Sequence, residues 1–362
     1  MYVVKQFPQI SESYIKTEIQ AVSEKCDVKI ITTKPASLAA RNHPPFEHIE
    51  DLAMIREAIK DFHPHVLHTH WLHAARAVGQ LSKQTKIPFT VRTHSFDSIW
   101  DDSRVASGWG RIFGSTSLPP HVREAIGYIR SDLCLGILAF PFNRARLEKA
   151  GIGDDKITDC YPVVNYPLFH NTGPNGDAIM NVGAAITKKK MEDFIDLGSM
   201  LPERRFNLYA MAYDVDKLHK LNESKGKPVN MIPPVELEDM PAEYKKHRWL
   251  VYTARMDMAS VGWPMSVAEA QAAGVGVCMA NIRPDLKEYV GGAGFLFNSV
   301  SEALEIITKP YPEEMRQKGF EQAKKSNIFE HRERLFKLWR KVSPAHFREH
   351  DSADQSADHP LV

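Results

Sequence analysis

The strongest chemical pattern in the sequence is the segment WPMSVAEAQAAGVGVCMA, residues 263 to 280. Pro264 suits the first turn of a helix and Gly274 suits its end, and a strand pattern follows at once. The free N–H groups at a helix N-terminus attract anions such as a diphosphate. Glu269 is the one acid among small residues fit for burial, which favours a role in binding hydroxyl groups. An exposed glutamate on an ordinary helix–strand unit explains the spacing equally well.

A second candidate site is the segment IMNVGAAITKKKMEDFIDL, in which a predicted strand ends at Gly183. Three consecutive lysines follow that strand: Lys188, Lys189 and Lys190. A run of lysines is usually a solvated face. Because this run follows a strand that ends at glycine, we favour a cationic turn that binds phosphate.

Five histidines lie close together in the run HPHVLHTHWLH: His63, His65, His68, His70 and His73. Imidazole is a common metal ligand, and strand alternation sends His68 and His70 to the same face. No cysteine or carboxylate cluster near this run in the sequence completes a ligand set, so we predict no metal site. His94 ends the next predicted strand, IPFTVRTH, with Asp97 nearby. A strand-end histidine either faces a ligand or is structural.

Two short patterns near predicted helix starts have simple explanations. Asp214-Val215-Asp216 spells the D-x-D of metal-dependent transferases, but helix capping explains it, and we expect no catalytic metal and no cofactor. Ser11, followed by Glu12, is likewise a good helix cap.

The elements that must position these residues form two successive α/β series. Strand patterns such as YVVKQF, DVKIITTK, HVLHTHW and LCLGILAF alternate with helical patterns, and a second series runs through AIMNVGA, RFNLYAM, VNMIPPV, WLVYTA and VGVCMA. Alternation of this kind predicts parallel sheets covered by helices. The segment YPLFHNTGPNGD, from Tyr166 to Asp177, has the composition of a linker between them. We therefore predict two doubly wound, Rossmann-like domains facing a central cleft, where α/β proteins bind ligands.

Composition excludes several other classes of protein. A chain of 362 residues exceeds what one core usually serves. Lys plus Arg number 46 against 45 Asp plus Glu, which gives no support for a nucleic-acid partner. The sequence has neither an apolar run long enough to span a bilayer nor a signal-peptide pattern, and its four cysteines are scattered. We expect a cytoplasmic protein with reduced cysteines.

Together, these segments resemble the retaining glycosyltransferases called group 1, or family 4, which have the two-domain GT-B fold. The EA-small-A-x-G run of that family matches Glu269 to Gly274, and the resemblance assigns Glu269 to the donor ribose. The family's first glutamate, which binds the donor sugar, is replaced by Val261, and the arginine after the turn glycine is replaced by Ala184. Lys189 aligns with the lysine that clamps the donor diphosphate. The donor-binding set predicted on this basis is Gly183, Lys189, Lys190, Gly262, Trp263, Met265, Ser266 and Glu269.

The N-terminal half resembles the same family in three places. FPQISESYIKTEI is similar to its opening motif, HPHVLHTHW to its fourth strand, and IPFTVRTHSFD to the strand whose histidine lies beside the donor sugar. The resemblance makes His94 and Lys189 the candidates for the reacting region. The predicted acceptor-binding residues are Ser11, Glu12, His70, Trp71 and Asp97.

The resemblance implies four segments along the chain. Residues 1–165 would bind the acceptor and residues 178–325 the nucleotide-sugar donor, while 326–345 would form a helix packed back on the first domain. Residues 346–362 are polar and predicted to be disordered. The terminal helix is basic and amphipathic, so contact with a membrane surface is the alternative to packing. A long segment, Ser95 to Pro120, carries four aromatic residues where the acceptor should bind: Phe96, Trp100, Trp109 and Phe113.

The predicted activity is transfer of a sugar, with retention, from a UDP-sugar or GDP-sugar to a saccharide, natural-product or lipid-linked acceptor. Two alternatives stay open. Loss of the family residues at Val261 and Ala184 favours a catalytically inactive relative that binds sugar nucleotides. Two facing domains are also typical of non-enzymatic solute-binding proteins, although these usually carry export signals.

Overall fold

The computed structural model describes residues 1–94, 97–99, 118 and 122–343. The first half contains a sheet of seven strands: β1 (Tyr2–Gln6), β2 (Ile30–Lys34), β3 (Glu47–His48), β4 (Leu67–His70), β5 (Phe89–Arg92), β6 (Cys134–Ala139) and β7 (Ile157–Asp159). The second half contains six: β8 (Ala178–Ala184), β9 (Phe206–Met211), β10 (Asn230–Met231), β11 (His247–Tyr252), β12 (Gly276–Ala280) and β13 (Gly294–Phe297).

Helices connect these strands. Those of the first half are α1 (Ser13–Ser23), α2 (Leu52–Phe62), α3 (Ala75–Thr85), α4 (Arg123–Ile129), α5 (Arg144–Lys149) and α6 (Tyr166–Phe169). Those that follow are α7 (Glu192–Met200), α8 (Val215–Ser224), α9 (Met240–Tyr244), α10 (Met265–Ala272), α11 (Leu286–Val290), α12 (Val300–Ile307), α13 (Glu313–Lys324) and α14 (Ile328–Trp339). No helix in the described ranges is long and apolar enough to cross a bilayer.

All strand pairs in both sheets are parallel. The first sheet has the order β3-β2-β1-β4-β5-β6-β7 and the second β10-β9-β8-β11-β12-β13. In each sheet the order reverses beside the first strand, so a crevice opens at the carboxyl ends of β1 and β4, and of β8 and β11. The two doubly wound domains predicted from the sequence are therefore confirmed. The short strand β3 and the strand β13 were not predicted.

The last helix returns to the first half of the molecule. On α14 the apolar residues Ile328, Leu335, Phe336, Leu338 and Trp339 are buried, and the helix packs against α1 and β6. Arg332 of α14 donates to the carbonyl oxygen of Ala21 on α1 at 2.8 Å. Because this apolar face is covered by the protein itself, it does not offer a surface for membrane contact.

The chain crosses between the halves in two places that lie side by side. The Val164 N–H donates to the carbonyl oxygen of Ser326 at 2.8 Å, and the Ile328 N–H donates to that of Val164 at 2.9 Å. The outgoing and returning segments are therefore hydrogen-bonded to each other.

Candidate active site

A cleft of about 350 Å³ lies between the two sheets, at the strand ends where their order reverses. Both halves contribute to it. Of the residues predicted for the site, the cleft is lined by Ser11, Glu12, Trp71, His94, Gly183, Lys189, Gly262, Trp263, Met265, Ser266 and Glu269. Three others do not line it: His70, Asp97 and Lys190.

Lys189 supplies a cation that has no hydrogen-bond acceptor in the part of the chain that the structure describes. Its side chain folds back over Gly183, where a β-carbon would collide with the Lys189 Nζ atom, and Gly183 itself has a φ of 142°. No described residue accepts a hydrogen bond from that Nζ, which lies 5.6 Å from the centre of the Tyr252 ring. Burial, with a smaller contribution from Lys188, lowers the pKa of Lys189 to about 8. An ammonium in this position binds an anion readily.

Hydrogen bonds from Asn181 and Thr253 fix the turn that carries Lys189. Asn181 donates to the Thr253 hydroxyl at 3.0 Å, and that hydroxyl donates to the carbonyl oxygen of Lys189 at 2.8 Å. Lys188 also lines the cleft, but its Nζ donates to the carbonyl oxygen of Ser260 at 3.0 Å. Lys190 is exposed and pairs with Asp193 at 3.0 Å. Lys190 was predicted to contact the donor, but in this structure it has a left-handed backbone and does not line the cleft.

Glu269 is buried on α10, with 7% of the residue exposed. One carboxylate oxygen accepts from the Tyr244 hydroxyl at 2.7 Å, and the other has no partner among the described residues. Burial raises the pKa of Glu269 to about 7, and the bond from Tyr244 opposes that shift. The alternative of an exposed glutamate is wrong. Pro264, the residue before α10, makes no side-chain capping bond, and Met265 and Ser266 of the first turn line the cleft.

The loop before α10 places an apolar residue in the cleft. Val261 lines it and is 2% exposed. Arg283 donates to the carbonyl oxygens of Ala259, at 2.5 Å, and of Val261. Trp263 donates from its indole to Asp285 at 2.7 Å and stacks on Tyr289 with ring centres 4.8 Å apart. Sequence reasoning missed Arg283 and Asp285, which hold this loop, although the charged triplet RPD shortly after β12 is a signal for such contacts.

The opposite wall comes from the first half and is aromatic. His94 lies against Trp71 and Tyr14, with ring centres 4.1 Å and 4.4 Å apart. Ser11 lies in a 3₁₀ turn, Ile10–Glu12, and neither it nor Glu12 caps α1, so the capping role expected for Ser11 is not seen. Burial raises the pKa of Glu12 to about 7. This wall offers ring faces and a carboxyl group, which suit a sugar.

Asp97 and His70 were predicted to bind the acceptor, but both lie behind the wall. Asp97 is fully buried and accepts from the backbone N–H groups of Leu72, at 2.6 Å, and His94, at 2.9 Å. Burial raises the pKa of Asp97 to about 7 despite those bonds. His70 is also fully buried and contacts His94 through its ring nitrogen at 3.1 Å. Both residues hold the wall in place instead of touching the cleft.

A carboxylate that sequence reasoning missed completes the histidine cluster. Glu18 of α1 is fully buried and lies 3.0 Å from His68 Nε2 and 3.3 Å from His70 Nε2. These three ligand atoms are close enough to surround a metal ion. However, the Arg92 guanidinium pairs with the other oxygen of Glu18 and already neutralises its charge. A dication would add uncompensated charge to a buried site, so the residues fit an ion-pair network better than a metal centre.

Two further expectations concern other parts of the chain. Asp214 does precede α8, but its side chain makes no capping bond and instead accepts from Lys217 at 2.5 Å. The D-x-D triplet does not line the cleft. The aromatic residues expected at the acceptor site, Phe96, Trp100, Trp109 and Phe113, lie outside the described residues, as does the tail at 346–362.

No protein-family model and no curated protein sequence matches the chain, whereas many solved structures do. Sucrose-phosphate synthase from Thermosynechococcus elongatus aligns over 95% of this chain and 100% of its own, with a TM-score of 0.72 and 14% identity. HepE from Anabaena, solved with UDP-glucose, aligns over 95% and 98%, with a TM-score of 0.64 and 13% identity. WaaG, a glycosyltransferase involved in lipopolysaccharide biosynthesis, aligns over 94% and 99%, with a TM-score of 0.62 and 13% identity. The chain therefore has the GT-B fold of these enzymes, as the sequence resemblance implied.

Proposed function

We propose that this protein is a glycosyltransferase that uses a nucleotide-activated sugar as donor. One observation carries the proposal: Lys189, whose ammonium has no acceptor among the described residues, lines the same GT-B cleft as the first turn of α10. Two positive features in one cleft suit a diphosphate. HepE, which shares the fold, has been solved with UDP and with UDP-glucose.

The donor would lie along the second half of the molecule. Its diphosphate would contact Lys189 and the first N–H groups of α10, and its ribose hydroxyls would donate to the Glu269 oxygen that has no partner among the described residues. The closely packed segment Gly262–Trp263 would border the sugar. We favour a UDP-sugar over a GDP-sugar on the likeness to HepE, and we propose that the first half binds the acceptor.

The reaction would break the bond between the anomeric carbon and the phosphate oxygen and form a bond from that carbon to an acceptor oxygen. The acceptor hydroxyl would give its proton to the departing phosphate oxygen, with retention of configuration. Preorganised positive charge stabilises such a leaving group as its charge develops. Lys189 and the α10 N-terminus would supply that charge, and the aromatic wall around His94 would hold the acceptor.

A second candidate rests on Val261. Because valine accepts no hydrogen bond, the sugar loses the acceptor that the resemblance expects at this position. A protein that binds the nucleotide but turns over no sugar would have this cleft too. We place the active transferase first, because Lys189 and Glu269 offer groups for the phosphate and the ribose even with Ala184 in place of the family's arginine. Glu12 and His94 offer other acceptors for sugar hydroxyls.

Calorimetric titration with UDP, GDP, ADP and dTDP tests the proposal. Binding of one of them at micromolar to millimolar concentrations is expected, followed by hydrolysis or transfer of a matching nucleotide sugar. Binding without turnover of any sugar would identify the inactive relative. Failure of all four to bind would overturn the donor site.

A further inference from the structure

The polar contacts behind the aromatic wall run in one direction, because the group at one end can only accept hydrogen bonds and the group at the other end can only donate them. A carboxylate such as Glu18 only accepts, and an indole N–H such as that of Trp339 only donates. Burial opposes ionisation of Glu18, but the charge of Arg92, with smaller contributions from the His70 and His68 rings, holds its pKa well below its usual range. Glu18 is therefore ionised.

One branch of this network runs from Trp339 to Glu18. The Trp339 indole donates to the Thr90 hydroxyl at 3.0 Å, and that hydroxyl lies 2.7 Å from His68 Nδ1. His68 Nε2 lies 3.0 Å from Glu18 Oε1. This contact lacks hydrogen-bond geometry, but the negative charge of Glu18 favours a proton on His68 Nε2, so that Nδ1 accepts from Thr90. The Tyr2 hydroxyl donates to the same Glu18 oxygen at 3.1 Å.

The other branch runs from Glu18 to the cleft. His70 Nε2 lies 3.3 Å from Glu18 Oε1, also without hydrogen-bond geometry, and the negative charge of the carboxylate favours a proton on this nitrogen. His70 Nδ1 is then an acceptor, and its neighbour at 3.1 Å, His94 Nε2, must donate to it. This leaves His94 Nδ1 without a proton, and no described residue bonds to it. His94 lines the cleft.

We propose that Glu18 is a positioning residue which, acting through His70, holds His94 as the neutral Nε2-protonated tautomer and so presents a bare Nδ1 lone pair to a sugar hydroxyl. The ligand in this statement rests on the proposed function, whereas the tautomer does not. Glu18 does not itself line the cleft and reaches His94 through His70, whereas its other partner, Arg92, does line the cleft.

The tautomer of His94 tests the relay without any variant. Long-range ¹H–¹⁵N spectra of protein labelled at histidine distinguish protonation at Nε2 from protonation at Nδ1. Protonation of His94 at Nε2 is expected between pH 7 and 8. Protonation at Nδ1, or an imidazolium, would overturn the proposal.

The substitution Glu18→Gln makes the prediction sharper. Arg92 requires an acceptor, so the amide oxygen would turn towards it and the amide NH₂ towards the histidines. His70 would then have to accept at Nε2 and donate from Nδ1, which reverses the tautomer of His94. We expect His94 to become protonated at Nδ1, and kcat to fall by about tenfold or more as a hydroxyl acceptor becomes a donor. UDP affinity should change less than about twofold, because Glu18 touches none of the groups assigned to the nucleotide.

Trp339→Phe provides the matched control, because it removes a buried donor from the branch that does not reach His94. That variant should keep the wild-type tautomer at His94. Should Glu18→Gln fail to fold, His70→Asn cuts the same relay while leaving the Glu18–Arg92 pair intact, and should also lower kcat more than UDP affinity. An unchanged His94 tautomer in Glu18→Gln would refute the relay. Failure of the proposed function would show differently, as wild-type protein with the expected tautomer and no donor binding.

Discussion

Lys189 differs from the lysines on either side of it in what its ammonium contacts. Lys188 fixes the loop at Ser260 and Lys190 pairs with Asp193, whereas Lys189 has no described acceptor. A ligand that supplies an acceptor therefore gains a charge-assisted bond without breaking one. The same three-residue run thus contains one lysine that we propose to bind the donor and two that bond to the protein itself.

Replacing Lys189 by Met should weaken UDP binding by about 10- to 100-fold, the usual worth of a charge-assisted hydrogen bond. Lys190→Asn is the matched control, since asparagine tolerates the left-handed backbone at that position. Its affinity for UDP should stay within about twofold of the wild type, because an exposed ion pair contributes little. Titration calorimetry measures both, and equal losses in the two variants would contradict the assignment.

The pH dependence of UDP binding follows from the same group. The pKa of Lys189 is about 8 in the free protein, and a bound diphosphate favours its charged form and raises that pKa. Affinity should therefore be full below pH 8 and fall as the pH rises above it. Binding near pH 8.5 should take up a proton, seen as a heat that depends on the ionisation enthalpy of the buffer. Lys189→Met should abolish that dependence.

Sequence patterns located the cleft residues better than the residues behind them. The sequence indicated Lys189 because it follows a strand that ends at a glycine. It indicated Glu269 because this acid lies on a helix of small residues whose start and end are both marked. His70 and Asp97 stand next to such ends, and spacing cannot tell whether a side chain faces a cleft or the core behind it. Glu18 was missed because its partners lie on β4 and β5, some fifty and seventy residues further along the chain, and only the folded sheet brings them together.

Among the elements, the segment at residues 232–239 joins the two halves. Glu238 pairs with Lys16 of α1 at 2.7 Å, and Glu236 accepts from the backbone N–H of Arg41 at 3.0 Å and from its side chain at 3.2 Å. The Lys16 side chain is only 4% exposed. Leu237, between the two acids, lines the cleft. This segment therefore couples the spacing of the halves to the shape of the site.

Changing both acids, Glu236→Gln with Glu238→Gln, should favour a more open arrangement of the halves. The loss leaves the buried ammonium of Lys16 without its ion partner, at a cost of about 1–3 kcal/mol. We expect a larger radius of gyration in small-angle scattering, and a higher KM for the nucleotide sugar. Asp214→Asn, which breaks an ion pair within the second half, should change neither quantity.

At the scale of the whole molecule, stability should depend on pH through histidines buried in their neutral form. Burial lowers the pKa of His68 and His247 to about 4 and that of His331 to about 3. Each contributes stability that is complete above about pH 6.5 and is lost as the pH falls towards the folded pKa. The carboxyl groups raised to about 7 act in the opposite sense, gaining stability as the pH falls below 7: Glu12, Asp97 and Glu269.

A substitution at His247 isolates one of these contributions. His247 lies at the start of β11, contacts Asn207 at 2.7 Å and the carbonyl oxygen of Glu243 at 2.8 Å, and is remote from the cleft. The free energy of unfolding lost in His247→Gln should be smaller at pH 5 than at pH 7.5, by about 2 kcal/mol. Urea unfolding of the second half at the two pH values measures it. A difference that does not change with pH would show that His247 is not held neutral.

The overall architecture could be predicted because β-branched runs and amphipathic helices alternate along the chain, and parallel strands admit few arrangements. The strands that were missed carry weaker signals. The segment Gly294–Phe297 has only three apolar residues and is mostly half-buried, and the two residues of β3 are polar and exposed, so neither gives the signal of a long buried parallel strand. The boundaries of the segments proposed from the sequence and their assignment to acceptor and donor remain predictions.

The two hydrogen-bonded crossings at Val164 and Ser326 have a mechanical consequence. A single connecting strand lets two bodies swivel in any direction, but two strands bonded side by side act as a flat hinge. Such a hinge bends across its width and resists twisting. Opening and closing should then follow one main axis of rotation. Lys189 in the second half and His94 in the first half would therefore take the same relative orientation at every closure.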